Sequence, residues 1–193
     1  MYDGIIENGV AKSSGGNIYV AGNKTTKQFA TMNMYGGIIR GGSVNKDGTA
    51  TGDLGYGGNI AMGGTLNMYG GKILDGIALK GTTGGGMGGN VYVSYHANLY
   101  GGKISGGEGS VGGNLGTNTD IAKLVLDGVQ VLGGKATNGG NIAINVRGNQ
   151  GVTIKGNTLV SGGTATNAGG NYYSSLFLEN KTNMKALIDG ATI

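Results

Sequence analysis

The sequence predicts an all-β chain wound into a parallel β-helix, in which each coil stacks on the one before it. Three observations lead to this prediction: a sequence repeat, strand-like period-two patterning within each repeat, and 46 Gly among 193 residues. There is no Pro and no Cys, and 38% of the residues are hydrophobic. These values exclude collagen, a disulfide scaffold and a disordered linker, and leave an ordered chain built from repeats.

The first repeated unit reads apolar-x-apolar-Tyr-Gly-Gly and is clearest at 32–37, 66–71 and 97–102. Weaker copies occur at 124–128 and 152–156, and both ends of the chain fit the same pattern. The column that begins with Tyr falls at positions 2, 35, 69, 100, 127, 155 and 189, so the spacings are 33, 34, 31, 27, 28 and 34 residues. This spacing predicts one coil per repeat and about six coils of 27–34 residues in a single domain, 1–193.

The second unit is Gly-Gly-Asn followed by an apolar residue. Each coil is therefore expected to contain a Gly-Gly-Asn strand, a variable loop, a Tyr-Gly-Gly strand, a short apolar strand and a Gly/Thr/Ala-rich turn. Segments 21–30 and 43–56 change length between coils and are expected to be loops. Stacked Asn side chains at the corners should satisfy one another's hydrogen bonds. The corner residues are Asn17, Asn59, Asn90, Asn114, Asn141 and Asn171.

Aligned repeats separate interior columns from surface columns. Four residues after the Tyr position, every repeat carries an aliphatic residue, as expected for a core in which equivalent side chains stack. Flanking columns are polar and mixed, and one of them places Glu7 beside Arg40 as an ion pair between coils. The predicted core column is Ile6, Ile39, Ile73, Ile104, Val131, Leu159 and Ile193.

The Tyr column is the most informative surface feature. Tyr2, Tyr35, Tyr69 and Tyr100 should stack without interruption on successive coils. Such a stack either stabilises the coil alone or forms an exposed binding face for sugar rings or a protein partner. Both interpretations stay open at the level of sequence.

The chemistry of the chain favours a protein without enzymatic activity. His96 is the single His and is expected to be a surface residue, and without Cys a zinc site is excluded. No cofactor or metal is expected. The carboxylates are dispersed among columns and loops. Asp47 and Asp53, in the longest loop, are the best candidates for the acid pair of a polysaccharide lyase or hydrolase, which is the enzymatic alternative.

Charge and hydropathy restrict the possible partners. The net charge of +4 comes from scattered Lys and Arg residues, with no nucleic-acid-binding motif, so we expect no nucleic-acid partner. No apolar run approaches the ~20 residues of a membrane span. Neither end carries a cap, which predicts either an excerpt of a longer array or a filament unit that stacks on itself end to end.

The Gly-Gly-Asn-apolar and Met-Tyr-Gly-Gly-x-Ile-x-Gly-Gly units resemble the right-handed parallel β-helix repeats of large bacterial cell-surface, adhesin-like proteins. The corner also looks like the Gly-Gly-Ala-apolar repeat of chlamydial polymorphic outer-membrane adhesins, although it carries Asn in place of Ala and lacks their Phe-x-x-Asn motif. The resemblance implies a right-handed coil, an extracellular or cell-surface location and a structural or adhesive role. Its partners would be a glycan or a host or cell-surface protein.

Overall fold

The computed structural model describes residues 1–119, 121–146, 151–176, 186–189 and 192–193. This part of the chain contains only strands and their connections, and the strands stack in parallel as a β-solenoid of about five turns. The predicted fold class is therefore confirmed, and the number of turns is close to the six coils expected from the repeats.

Two of the four stacked sheets correspond to the two repeated units. Sheet I follows the Gly-Gly-Asn corner, and sheet II ends at the Tyr position. The strands of sheet I are β3 (Ile18–Val20), β10 (Ile60–Met62), β15 (Val91–Val93), β19 (Leu115–Thr117), β23 (Ile142–Val146) and β27 (Tyr172–Leu176). The strands of sheet II are β6 (Thr31–Met34), β11 (Thr65–Met68), β16 (His96–Leu99), β20 (Lys123–Asp127), β24 (Val152–Lys155) and β28 (Ala186–Asp189).

Sheet III is the short apolar strand of the repeat, and sheet IV lies where the sequence predicts only a turn. The strands of sheet III are β1 (Ile5–Glu7), β7 (Ile38–Arg40), β12 (Lys72–Leu74), β17 (Lys103–Ser105), β21 (Gln130–Leu132) and β25 (Leu159–Ser161). The strands of sheet IV are β2 (Val10–Ala11), β8 (Ser43–Val44), β13 (Ile77–Ala78), β18 (Glu108–Gly109), β22 (Lys135–Asn138) and β26 (Thr164–Ala168). Most sheet IV strands are two residues long, too short to show an alternating pattern in the sequence.

The two segments predicted to be loops contain strands as well. Segment 21–30 forms an antiparallel hairpin of β4 (Gly22–Asn23) and β5 (Gln28–Phe29). Segment 43–56 begins with β8 and ends with β9 (Asp53–Tyr56), which pairs in parallel with β14 (Gly84–Met87) of the next coil.

The core fills the space between sheets I, II and III. Its residues are aliphatic and Met side chains from the inward positions of each strand, stacked on their equivalents in the neighbouring coils. Ile39, Ile73, Ile104 and Val131 are fully buried in one such column. The sequence predicted this column because the inward position recurs at a constant distance from the Tyr position.

The predicted core column is wrong at Leu159. Leu159 pairs with the surface residue Gln130, and Val160 pairs with Val131 and is fully buried in the core. Three residues, 156–158, separate the Tyr position from the sheet III strand here, whereas two residues do so in the other coils. A one-residue slip moves a side chain to the other face of a strand. At the two ends of the column, Ile6 and Ile193 are exposed.

Candidate functional site: the tyrosine and asparagine ladders

The six corner Asn residues form one continuous hydrogen-bonded chain, which we call the corner ladder. Each side-chain Nδ2 donates to the Oδ1 of the Asn in the next coil, over 2.7–2.9 Å. Asn90 shows the complete arrangement. It accepts from Asn59 Nδ2 and Gly76 N, and it donates to the Ser105 carbonyl and to Asn114 Oδ1.

The corner ladder sits inside the molecule and depends on the glycines around it. The four central members are fully buried, while Asn17 and Asn171 are half-buried. A Cβ atom on Gly107 would overlap the Gly113 carbonyl oxygen and approach Asn90 Nδ2 to 2.8 Å. The Gly-Gly-Asn unit therefore combines an amide that needs many partners with a backbone that comes close enough to supply them.

The four Tyr residues that begin the first repeated column stack on one another, and we call this stack the Tyr ladder. The ring centroids of Tyr2, Tyr35, Tyr69 and Tyr100 are separated in turn by 4.7, 5.0 and 5.4 Å, with interplanar angles of 10°, 8° and 22°. These values match offset-stacked aromatic pairs. All four residues are exposed to solvent. The exposed fraction is close to 45% for Tyr35, Tyr69 and Tyr100.

The column changes chemistry after Tyr100. The next position is Asp127, and Lys155 follows it in the coil beyond, with Lys155 Nζ 3.3 Å from Asp127 Oδ2. The Tyr ladder therefore runs over four coils and is followed by an ion pair between coils. A similar pair, Arg40 Nε to Glu7 Oε2 at 2.6 Å, lies on sheet III, where the sequence places it.

Stacking determines which part of each ring meets solvent. Because neighbouring Tyr rings lie nearly parallel about 5 Å apart, their facing surfaces pack against each other. What the ladder offers to solvent along its length is a row of ring edges and hydroxyl groups. A sugar ring therefore cannot lie flat between two members of the stack, and a ligand would meet hydroxyls and ring edges.

A second row of Asn residues lies beside the Tyr ladder on the outer face of sheet II. Asn67 Nδ2 donates to Asn33 Oδ1 over 2.9 Å, and Asn98 Nδ2 donates to Asn67 Oδ1 over 2.8 Å. This surface Asn row is in register with the Tyr ladder, because each Asn stands two residues before a Tyr. Amides and phenol hydroxyls thus repeat together at the strand spacing of ~4.8 Å.

Two Lys residues border the Tyr ladder on the other side, beyond the Gly-Gly turn. Lys72 and Lys103 are register partners in sheet III, and in the described part of the chain neither has an ion-pair partner. We call the surface formed by the Tyr ladder, the surface Asn row and these two Lys residues the candidate face. It is neutral along the Asn and Tyr columns and positive along the edge formed by the Lys residues.

His96 belongs to an aromatic cluster at the opposite edge of sheet II. Its ring stacks on Tyr95 with centroids 3.7 Å apart, and Tyr95 stacks on Phe29, from the hairpin of the first coil, at 3.8 Å. Partial burial lowers the pKa of His96, and the charge of Lys123 in the next coil lowers it further. These stacked rings connect the hairpin of β4 and β5 to sheet II, in which His96 is the first residue of β16.

The structure describes the side chain of one member of the candidate acid pair, Asp47. Asp47 accepts a hydrogen bond from the Thr49 main-chain N–H, which lowers the pKa of its carboxyl group. It lines an open groove beside Lys12 and Asn45, and among the described residues of that groove it is the single carboxylate. Asp53 is in β9 with its backbone paired to Gly84, and its side chain lies outside the described part of the structure.

No cluster of three or more His, Cys, Asp or Glu side chains arranged to hold a metal ion is found among the described residues. Within the same ranges, no helix is long and apolar enough to cross a membrane.

Comparisons with known proteins identify no relative of this chain. No family model matches the sequence, and no curated protein or solved structure matches it. The ladders, the sheet register and the core thus lead to one conclusion about the chain: it is a parallel β-solenoid of about five turns.

Proposed function

We propose that this chain is a non-enzymatic structural and adhesive module of an extracellular or cell-surface protein, in which the solenoid holds the Tyr ladder in a fixed array for a binding partner. The observation that carries the proposal is the exposed Tyr ladder, in register with the surface Asn row. The resemblance of the repeats to adhesin-like bacterial surface proteins supports the location.

The rigidity of the scaffold supports a display role. Consecutive coils are joined by four parallel sheets, by the buried corner ladder and by a stacked aliphatic core. A side chain on such a framework loses little further freedom on binding, which favours affinity. Tyr is also suited to contact surfaces, because it combines a large apolar ring with a hydroxyl that both donates and accepts.

The chemistry of the face suggests a hydroxyl-rich glycan or a polar protein surface as the partner. The Tyr ladder and the surface Asn row together repeat a hydroxyl and an amide in three consecutive coils, and these groups can bond to sugar hydroxyls or to peptide groups. Nucleic acid fits less well, because bases need open aromatic faces for stacking and the facing surfaces of these rings are in contact.

Binding to a glycan array and to intact cells tests the adhesive role. The variant Tyr35→Ser/Tyr69→Ser/Tyr100→Ser removes three rings of the face, and Tyr19→Ser removes an exposed ring from sheet I as the control. We expect the triple variant to lose at least tenfold in affinity and the control to bind like the parent chain. Equal binding by both variants, or no binding by the parent chain, would contradict the proposal.

Sizing and electron microscopy distinguish this role from a filament subunit that stacks end to end. Short single rods are the expected result. Fibres of uniform width, lengthening with concentration, would favour the filament instead. Cleavage of acidic polysaccharides that is lost in Asp47→Asn would favour the enzymatic alternative.

A further inference from the structure

We propose that the Tyr ladder is an oxidative coupling site, at which a peroxide-class oxidant joins neighbouring Tyr rings into dityrosine and so links consecutive coils covalently. The inference concerns a modification of the chain and does not depend on the adhesive role. It rests on the spacing, exposure and order of the four rings.

The spacing of the rings favours coupling between neighbours. Centroid distances of 4.7–5.4 Å place each ring beside its neighbour, and hydrogen bonds such as Tyr35 N to the Met1 carbonyl and Tyr69 N to the Met34 carbonyl hold the backbones in register. Reacting groups held in this way behave as if they were at very high concentration. A radical formed on one ring therefore meets a Tyr partner before it meets another molecule.

The exposure of the rings allows the reaction to proceed. Tyr2 is 78% exposed and the other three residues are close to 45% exposed, so an oxidant can reach each hydroxyl. Each ring can turn about its Cβ–Cγ bond to bring ortho carbons together. The product joins the two rings edge to edge, so the two rings must leave the stacked orientation, which the exposure of the side chains permits.

The chemistry balances with one peroxide for each link. Each of two phenols loses a proton to solvent and an electron to the oxidant, giving two phenoxyl radicals. Their ortho Cε atoms form a C–C bond, and the hydrogen on each of these carbons moves to the phenoxyl oxygen, which restores both phenols. Hydrogen peroxide takes up the two electrons and two protons and becomes two molecules of water.

Other Tyr residues of the chain serve as comparisons within the same molecule. Tyr19 is more exposed than Tyr35 but has no ring neighbour in the described part of the chain. Tyr56 and Tyr92 lie 4.7 Å apart, but their planes differ by 49°, both are half-buried, and the Tyr92 hydroxyl donates to Asn118. Coupling should therefore concentrate on the Tyr ladder.

The experiment treats dilute protein with a heme peroxidase and hydrogen peroxide, followed by denaturation, tryptic digestion and mass spectrometry. Trypsin places Tyr2, Tyr19, Tyr35 and Tyr69 on separate peptides, 1–12, 13–24, 28–40 and 47–72. We expect monomeric product that loses two hydrogens per link, with 1–12 joined to 28–40 and 28–40 joined to 47–72. The melting temperature should rise, because each link closes a loop of more than 30 residues in the unfolded chain.

Matched variants test which Tyr residues form the links. Tyr69→Phe keeps the stacked ring but has no phenol to oxidise, so it should lose the link between 28–40 and 47–72 and keep the link between 1–12 and 28–40. Tyr19→Phe should keep both links. The proposal is overturned if peptide 13–24 couples as often as the ladder peptides, if links form only between molecules, or if none form where N-acetyltyrosine couples readily.

Discussion

Asn90 shows how one side chain can complete the hydrogen bonding of a whole corner. All four of its hydrogen bonds are to groups inside the molecule, two in side chains of neighbouring coils and two in the main chain. A buried amide that loses any of these partners costs about 1–3 kcal/mol. The corner ladder is therefore a stabilising element whose members depend on each other.

Replacing Asn90 by Ala should destabilise the chain by about 3 kcal/mol, because Asn59 Nδ2 and the Gly76 N–H are left buried without acceptors. Asn67→Ala, in the surface Asn row, should cost less than about 1 kcal/mol, since water can replace its bonds. Urea unfolding followed by circular dichroism measures both changes. Similar losses for the two variants would show that burial does not govern the corner.

His96 should make stability depend on pH. Its folded pKa is lowered by burial and by Lys123, so the unfolded chain binds the proton more readily. Stability should therefore be constant above neutral pH and should fall as the pH drops through the unfolded pKa of about 6.5. We expect the melting temperature of the parent chain to fall relative to His96→Gln between pH 7.5 and 5.5. A parallel pH dependence of the two proteins would rule out this contribution.

At the scale of single residues, the sequence predicts positions that recur at constant spacing and misses those that depend on a local insertion. The corner Asn residues and the Tyr column could be aligned because their motifs carry glycines that mark the register. Leu159 was misplaced because Asn157 adds one residue to a turn, and counting from the Tyr position does not reveal an insertion. The stacking of Phe29 on Tyr95 joins a hairpin to a coil two turns away, a contact that the repeat does not encode.

At the scale of elements, glycine has two distinct uses in the corners. Gly133 needs a left-handed backbone, with φ of +62°, but has open space around it. Gly134 needs the absence of a side chain, because a Cβ there would overlap the Gly140 carbonyl oxygen and meet Asn114 Nδ2 at 2.8 Å. Two neighbouring glycines thus satisfy different requirements, which explains why they occur as a pair.

The same substitution at these two positions should have unequal effects. Gly133→Ala should lower the free energy of unfolding by about 1–2 kcal/mol, because a residue with a Cβ is strained in the left-handed conformation. Gly134→Ala should cost about 3 kcal/mol, because the corner ladder and the next coil must both shift. Thermal unfolding of the two variants measures the difference, and the opposite order would contradict the close-packing argument.

Sheet IV could not be predicted because its individual strands carry too little sequence pattern. Its strands are mostly two residues long, and they include small or polar residues such as Ser43 and Gly109. Such a strand is defined by hydrogen bonds to the coils on either side rather than by its own pattern. The sequence therefore indicated a turn where stacking produces a sheet.

At the scale of the whole molecule, the solenoid behaves as a linear series in which each coil packs on its neighbours. The same column position thus has different surroundings along the axis. Ile73 is fully buried between Ile39 and Ile104, whereas Ile6, in the first coil, is 39% exposed. Stability should then be distributed unevenly among chemically identical positions.

Truncating Ile at these two positions tests that distribution. Ile73→Ala should cost about 2–5 kcal/mol, since it leaves a cavity between two coils that are held by hydrogen bonds and cannot close on it. Ile6→Ala should cost less than about 1 kcal/mol, because its side chain is already partly in water. Urea unfolding of both variants, with hydrogen exchange to locate the lost protection, gives the measurement. If Ile6→Ala were as costly as Ile73→Ala, the first coil would contribute as much as the centre, and the linear description of the molecule would have to be given up.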